Sequence, residues 1–247
     1  MDNGWQSSAQ AWITDQGEHG DFGRRFVLDP VMLPRALARS PISALDIGCG
    51  EGRFCRLLSA HGIAVTGLDP TPALLQAAQS RDPHGTYLEA SAERLPLPSD
   101  SFDLVVSYLS LVDIPDIAAA IPEMARVLKP GGTLLIANLN SFNTACGDSG
   151  WVRDWKGQPQ HYRVDNYMDQ RAMWLAYRGI HIQNYHRPFS TYMQALLETG
   201  LQLTHFDEPQ PTSEAPPARA AKYRRAPNFL VMEWIKPLPK GHPPPPS

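Results

Sequence analysis

The chain has 247 residues and a mass of 27.4 kDa, which is enough for one large domain with a sizeable core and too little for two full-sized domains. It carries 22 Lys and Arg against 25 Asp and Glu, a formal net charge of −3, so it lacks the basic balance typical of nucleic-acid-binding proteins. We therefore expect no nucleic-acid partner.

Cysteine usage and the N-terminal sequence predict the cellular compartment. Cys49, Cys55 and Cys146 are odd in number and form no Cys-x-x-Cys pair, which argues against a disulfide framework and a zinc site. No apolar run approaches the ~18 to 20 residues of a membrane span, and the first residues do not resemble a signal peptide. We expect a soluble cytoplasmic protein with no metal site and no membrane contact.

Short apolar runs alternate with amphipathic stretches from Ser43 to Asn138, a pattern typical of βαβ units and a mostly parallel sheet. The predicted strands are 43–47, 64–68, 86–90, 103–108 and 133–138. The predicted helices are one from about Pro30 to Arg39, then 52–61, 72–80 with Thr71 as N-cap and Pro72 first, and 116–129 with Asp116 as N-cap and Gly131-Gly132 as terminator. Pro122 predicts a kink or a late start of the last helix.

The C-terminal third contains a predicted helix over 189–199, a strand over 201–206 and a last strand over 228–235. Eleven of the 24 prolines lie between Pro209 and Pro246. Because the last strand must return to the main sheet, the Pro-rich segment from Pro209 to Pro227 is predicted to be a connection within the fold. Residues 236–247 are predicted to be a disordered Pro-rich tail.

Aromatic residues concentrate between the fifth and sixth strands. Ten of the chain's 22 aromatic residues lie in the 53 residues from 140 to 192. A sheet does not need so long a connection, so the segment is an insertion with a purpose of its own. It is either a packed surface subdomain or a lid over a small-molecule pocket. We favour a lid over 140–188, because aromatic side chains line such pockets.

A glycine-rich turn follows the first predicted strand, with the sequence Asp46-Ile47-Gly48-Cys49-Gly50-Glu51-Gly52. Glycines let a ligand approach the backbone, and the helix behind them offers free N–H groups, so the turn predicts a nucleotide-like cofactor. The dinucleotide fingerprint would require glycine where this chain has Arg53. Asp69 ends the second strand 19 residues after Gly50, where a carboxylate can bind ribose hydroxyls. Its alternative role is to cap the next helix.

Five motifs within residues 42–139 resemble, in order, those of the class I S-adenosylmethionine-dependent methyltransferases, in particular the small-molecule methyltransferase type 11 group. They are Leu45-Asp46-Ile47-Gly48-Cys49-Gly50-Glu51-Gly52, Gly67-Leu68-Asp69, Ser91-Ala92-Glu93-Arg94-Leu95-Pro96, Ser101-Phe102-Asp103-Leu104-Val105-Val106-Ser107 and Arg126-Val127-Leu128-Lys129-Pro130-Gly131-Gly132. The resemblance implies a single methyltransferase domain over 1–247. Its α/β fold would be a Rossmann-like, seven-stranded, mostly parallel sheet with helices on both faces and an antiparallel last strand.

The resemblance also implies S-adenosyl-L-methionine as cofactor and assigns its binding residues. Gly48 and Gly50 would pack against the methionine and ribose, Asp69 would bind the ribose hydroxyls, and Pro70 and the Ala92 N–H would meet adenine. The full predicted set is Asp46, Gly48, Cys49, Gly50, Asp69, Pro70, Ser91, Ala92, Tyr108 and Arg25. Ser91 stands where relatives often have an aspartate, and a hydroxyl accepts the adenine amino bond more weakly.

Residues 1–40 are predicted to form a helical cover. In relatives such a leader folds over the cofactor, and a cationic residue there pairs with the methionine carboxylate. Arg25 or Arg24 suits this role through the fork geometry of its guanidinium. The alternative is that both arginines are simply solvated.

Methyl transfer is an in-line displacement, so alignment and the exclusion of water matter most and a general base is optional. Candidate bases are His186, His181, His161 and Asp113, with Tyr108 as an orienting hydroxyl. We predict His186, Tyr108 and Asp113 as catalytic and favour His186 as the base. If 180–186 is a strand, His186 and His181 lie on opposite faces. The alternative for His186 is a structural histidine that caps a helix or bonds a carbonyl.

These patterns together predict a methyltransferase that acts, as a monomer or homodimer, on N or O of a small aromatic or heterocyclic metabolite. One alternative is an RNA or protein methyltransferase, for which only the basic cluster at 219–225 offers support. Another is a cofactor-binding protein with altered chemistry. It is suggested by Ser91, and by Val112 and Asp113, which stand where relatives often have a histidine.

Overall fold

The computed structural model describes residues 3–146 and 150–239, which fold around one seven-stranded sheet. Its strands are β1 (Ser43–Ile47), β2 (Ala64–Asp69), β3 (Thr86–Glu89), β4 (Phe102–Tyr108), β5 (Leu128–Leu139), β10 (Gln202–Asp207) and β11 (Phe229–Ile235). The spatial order is β10-β11-β5-β4-β1-β2-β3. The first five strands pair in parallel, and β11 runs antiparallel to both β5 and β10. The predicted seven-stranded, mostly parallel fold is therefore confirmed.

Helices precede and separate these strands. They are α1 (Trp5–Gln16), a π-helical turn (Arg24–Leu28), α2 (Asp29–Leu37), α3 (Arg53–Ser59), α4 (Pro72–Arg81), α5 (Ile117–Val127), α6 (Ser141–Thr144), α7 (Phe189–Glu198) and α8 (Pro217–Arg225). Asp116 caps α5, since its Oδ1 accepts the Ala119 N–H at 3.1 Å. Pro72 starts α4 as predicted, although Thr71 makes no side-chain cap bond. Among the described residues, no helix has the length and apolar character needed to span a bilayer.

The structure differs from the sequence prediction most at helices α5 and α8 and at β5, which begins at Leu128 rather than 133 and contains Gly131-Gly132. Helix α5 starts at Ile117 without delay and continues through Pro122, but it ends at Val127 rather than at 129. The residue before a proline disfavours helical backbone, so Pro130 keeps Lys129 out of the helix, and Leu128 already pairs with Phe102 in the sheet. The Pro-rich connection contains α8, which the sequence analysis missed although prolines suit a first helical turn.

Alternating strand residues pack into two apolar clusters on opposite faces of the sheet. On β4, Val105 belongs to one cluster, whereas Leu104 and Val106 belong to the other, as the period of two requires. Helices α5 and α7 cover the first face, and α2, α3 and α8 cover the second. The sheet is therefore buried on both faces, which explains why its central strands are almost wholly apolar.

The insertion between β5 and β10 forms two hairpins beside this sheet. They are β6 (Trp151–Arg153) with β7 (Pro159–Tyr162), and β8 (Arg171–Tyr177) with β9 (Ile180–His186). Strand β9 packs along α1, because the Ser8 hydroxyl donates to the His181 carbonyl at 3.0 Å and the Gln183 N–H donates to the Asn3 carbonyl at 2.9 Å. Of the predicted tail, residues 236–239 follow β11 and 240–247 lie outside the described residues.

Candidate cofactor site

A cavity of ≈ 260 Å³ opens at the carboxyl ends of β1, β2 and β4. This is where the chain reverses its direction of strand addition, and ligands of open α/β sheets bind at such a point. The walls come from the glycine turn, the end of β2, the loop after β3, residues 108–115 after β4, and α1 with the π-helical turn. Every residue of the predicted cofactor set except Arg25 lines this cavity: Asp46, Gly48, Cys49, Gly50, Asp69, Pro70, Ser91, Ala92 and Tyr108.

The two central glycines of the turn are required by what packs against them. Gly48 and Gly50 have φ of 73° and 57°, the left-handed region that favours glycine. A Cβ at position 48 would lie 2.4 Å from the Ser110 Cβ, and one at position 50 would lie 3.0 Å from the Trp12 ring. The turn is therefore a cradle that the loop after β4 and helix α1 enclose.

Asp69 ties the cradle to the following helix. Its Oδ2 accepts the Gly50 N–H and its Oδ1 accepts the Thr71 N–H, each at 2.9 Å. Burial raises the pKa of this carboxyl, while the two backbone bonds oppose that rise. Each oxygen keeps a further lone pair, so the same carboxylate can also accept bonds from ligand hydroxyls.

Asp46 presents an unused acceptor to the cavity. The side chain is 1% exposed, and its Oδ2 accepts the Cys55 thiol at 3.4 Å. Its Oδ1 is buried and has no hydrogen-bond partner within the described part of the chain. Burial, reinforced by the nearby Asp69, raises the pKa of Asp46 to about 7. An unsatisfied buried acceptor is costly, so a ligand donor such as an ammonium group fits this position.

The structure places Arg24, and not Arg25, in the cavity wall. The Arg24 guanidinium lies 5.6 Å from the Trp12 ring centre and 5.9 Å from that of Tyr108. Arg25 is exposed, stacks on Phe26 at 4.9 Å and lines a separate open cleft. Successive helical residues project in different directions, so only one of the two can face the cradle. Of the two arginines named from the sequence, Arg24 is therefore the candidate for an anionic ligand group.

Tyr108 lines the cavity with its ring while its hydroxyl is already engaged. The hydroxyl donates to Asp29 Oδ1 at 2.8 Å, and Asp29 also pairs with Arg53. Burial raises the pKa of Tyr108 well above its ordinary value, so the phenol stays protonated. The hydroxyl is thus available to a ligand only as an acceptor. Sequence reasoning did not identify Asp29 or the role of Arg53 in holding it.

Asp113 is the one candidate base that lines the cavity. The side chain is partly buried, and its Oδ1 accepts a hydrogen bond from Asn184 Nδ2 on β9. Burial raises the pKa of this carboxyl well above its ordinary value, and the Asp69 charge adds to the rise. A carboxylate with a raised pKa is a stronger base near neutral pH than an ordinary one.

The three candidate histidines lie away from the cavity among the described residues. His186 is 0% exposed, with Nδ1 bonded to Thr144 Oγ1 at 2.7 Å and Nε2 bonded to the Tyr167 carbonyl at 2.8 Å. His181 is exposed and stacks on Trp174, and His161 is exposed on β7. The favoured choice of His186 as base therefore gives way to its alternative as a structural, carbonyl-bonded histidine.

Helix α1, and not the aromatic insertion, covers the cavity. Trp5 and Trp12 line it with their rings 5.8 Å apart, whereas every described lining residue falls between 3 and 115. Trp155 of the insertion is 88% exposed, and Trp174 is 46% exposed. The predicted lid thus does not form a wall of the cavity in this structure. The sequence signal for α1 was a pair of tryptophans seven residues apart, which share one helix face.

Comparison with known proteins agrees with this geometry. Residues 45–136 match the family of methyltransferase domains, a range that holds the glycine cradle, Asp69 and the loop after β4. The protein is a class I S-adenosylmethionine-dependent methyltransferase. The described residues contain no group of three or more His, Cys, Asp or Glu side chains placed to hold a metal ion.

The enzyme resembles several bacterial proteins along most of its length. It is 28% identical to malonyl-[acyl-carrier protein] O-methyltransferase of Enterobacter lignolyticus, covering 77% of this chain and 76% of the relative. An S-adenosylmethionine-dependent methyltransferase of Mesorhizobium loti aligns with a TM-score of 0.76 and 28% identity, covering 89% and 100% of the two chains. An S-adenosylmethionine-dependent methyltransferase of Listeria monocytogenes aligns with a TM-score of 0.72 and 28% identity, covering 78% of this chain and 89% of the other.

S-adenosylmethionine is the cofactor, and the chemistry of the cavity residues fits it. Asp46 Oδ1 has no hydrogen-bond partner among residues 3–146 and 150–239, which suits the methionine ammonium, and the Arg24 guanidinium suits the carboxylate. The acceptor lone pairs of Asp69 suit the ribose hydroxyls, and the apolar residues Pro70 and Ala92, which line the same cavity, suit adenine.

Proposed function

We propose that the enzyme transfers the methyl group of S-adenosylmethionine to nitrogen or oxygen of a small aromatic or heterocyclic molecule. The observation that carries this proposal is a carboxylate, Asp113, that lines the same cavity as the aromatic rings of Trp5, Trp12 and Tyr108. An aromatic acceptor packs against such walls, and an N–H or O–H group offers the carboxylate a proton. We place the reaction in the cytoplasm, where the three free thiols would stay reduced.

The cofactor would be held by the residues that fit its polar groups. Asp46 accepts from the ammonium, Arg24 pairs with the carboxylate, Asp69 accepts from the ribose hydroxyls, and the Ala92 N–H meets adenine beside Pro70. The bound cofactor supplies an electrophilic methyl group on a sulfonium. Trp12, whose ring lies beside Gly50, would help to shield that group from water.

Asp113 would act as the general base at the acceptor. Burial raises the pKa of its carboxyl, so the ionised carboxylate is a stronger base toward an acceptor proton than an ordinary one. The other candidates are less suitable, because both His186 nitrogens are bonded and the Tyr108 hydroxyl donates to Asp29. Beside Asp113, the Tyr108 ring would pack against the substrate, and the Tyr108 hydroxyl oxygen would accept a hydrogen bond that orients it.

The relatives favour oxygen as the methylated atom, because the Enterobacter protein is by name an O-methyltransferase of malonyl-[acyl-carrier protein]. A nucleic-acid acceptor has less support. In the basic cluster at 219–225, Arg225 donates to the carbonyls of Pro159 and Gln160, and Arg219 stacks on Phe22 at 4.4 Å. Those two side chains stabilise the fold and do not form a free basic groove.

Labelled cofactor tests the proposal directly. Purified enzyme is incubated with methyl-labelled S-adenosylmethionine and, separately, with phenols, hydroxylated heterocycles, amines, malonyl-acyl-carrier protein and RNA. We expect label on a small N or O acceptor, and a loss of about 100-fold or more in turnover for Asp113→Asn. Glu93→Gln, an isosteric change at another cavity carboxylate, is the matched control. Label on RNA alone would overturn the acceptor class, and full activity of Asp113→Asn would overturn the base.

A further inference from the structure

The loop after β4 is held in place from the aromatic insertion. Arg187, the residue that follows β9, is 4% exposed and donates to the carbonyls of Leu111 at 3.3 Å, Ile114 at 2.6 Å and Pro115 at 2.8 Å. The Tyr185 N–H adds a bond to the Val112 carbonyl at 2.7 Å. The backbone on both sides of Asp113 is therefore anchored to an element more than 70 residues away along the chain.

One side chain of the same strand reaches the carboxylate itself. Asn184 is 4% exposed, and its Nδ2 donates to Asp113 Oδ1. By the period of two, Asn184 shares the buried face of β9 with Ile182. The bond from Asn184 is not needed to hold the loop backbone, because Arg187 and Tyr185 already hold it. The Asn184 bond instead affects the orientation and the charge of the Asp113 carboxylate.

We propose that Asn184 is a positioning residue, which orients Asp113 toward the acceptor by donating a hydrogen bond to its carboxylate. This inference rests on the proposed role of Asp113 as base. It also assigns the insertion a part in catalysis, although none of its described residues lines the cavity.

The groups around Asp113 determine the sign of the expected effect. Asp69 at the end of β2 raises the pKa of Asp113, whereas Arg24, the Trp5 side chain of α1 and Asn184 lower it. Tyr177 of β8 is a further titratable group that interacts electrostatically with Asp113. A donor that bonds the ionised form favours that form, so removal of the Asn184 amide raises the pKa of Asp113.

The test replaces the amide without changing its bulk. In Asn184→Leu, we expect the pKa of Asp113, followed by ¹³C NMR of labelled aspartate carboxyls and assigned with Asp113→Asn, to rise by about one unit. The acid limb of turnover should move up with it, kcat should fall about tenfold or more, and cofactor affinity should change little. Ile182→Val, on the same buried face but without a polar group, is the control and should change neither the pKa of Asp113 nor kcat.

Separate outcomes distinguish this inference from the proposed function. An unchanged Asp113 pKa in Asn184→Leu, or an equal shift in Ile182→Val, overturns the positioning role whatever the acceptor is. Full turnover of Asp113→Asn overturns the base, while the NMR titration still measures the contact. If Asn184→Leu does not fold, Asn184→Ser, whose hydroxyl is too short to reach the carboxylate, should give a shift of the same sign.

Discussion

The Trp12 ring occupies the space beside Gly50 that any side chain at position 50 would enter, with 3.0 Å between the ring and the Cβ position. Helix α1 can close over the glycine turn only because residue 50 has no side chain. The same space borders the cavity, so both the packing of α1 over the turn and the entry of the cofactor into the cavity depend on Gly50.

We predict that Gly50→Val abolishes S-adenosylmethionine binding while the protein remains folded. The substitution adds a clash with Trp12 and strains a backbone with φ of 57°. Calorimetric titration measures binding, and circular dichroism measures folding. Gly62→Ala is the control, because Gly62 has φ of 81° but nothing within 4 Å of its Cβ position. It should lower stability without changing affinity. Retained binding in Gly50→Val would show that the turn serves packing alone.

The neighbouring arginines offer a matched pair. Arg24→Met should weaken S-adenosylmethionine binding by roughly 10- to 100-fold, because it removes a charge-assisted bond to the methionine carboxylate. Arg25→Met should leave the affinity unchanged, since that side chain is exposed and lies outside the cavity. Isothermal calorimetry on both variants compares them directly. Equal losses, or a larger loss in Arg25→Met, would reverse the assignment.

Asp46 should make the stability of the cofactor-free enzyme depend on pH. Its pKa is about 7 in the folded protein against an ordinary value of 3.8, so the folded state binds the extra proton. The sign follows from linkage: the contribution of Asp46 is most favourable below pH 4 and is lost as pH rises toward 7, by up to roughly 4 kcal/mol.

Urea unfolding of the wild type and Asp46→Asn between pH 4 and 8 measures this contribution. We expect the wild type to lose stability relative to the variant as pH rises through that window. Parallel curves would mean that Asp46 is ionised in the folded protein at its ordinary pKa.

The insertion over 140–188 is predicted to determine the choice of acceptor while contributing little to cofactor affinity. In the structure, Asn184 of β9 and the following Arg187 bond the loop that carries Asp113, so changes in the insertion can reach the acceptor site. Alanine substitutions of Trp151, Trp155, Tyr167 and Trp174 should raise the KM of the acceptor more than the Kd of the cofactor. Equal shifts in both constants would assign the segment to the cofactor site or to the core.

The sequence by itself determined the elements that depend on local chemistry. Short apolar runs predicted β1, β4 and β11, and Asp116 predicted the start of α5. The spacing from Gly50 to Asp69 predicted two walls of one cavity. These features follow from backbone preferences and side-chain periods within a few residues, together with the rule that parallel strands end at one edge.

Only the tertiary structure decided which side chains reach the cavity. Periodicity could not choose between Arg24 and Arg25, because they are the first two residues of an irregular π-helical turn. His186 was excluded by bonds to Thr144 and Tyr167, and Asn184 was paired with Asp113 across 71 residues. Such contacts depend on how distant elements pack to bury apolar surface and satisfy buried polar groups. No local pattern in the chain specifies that packing.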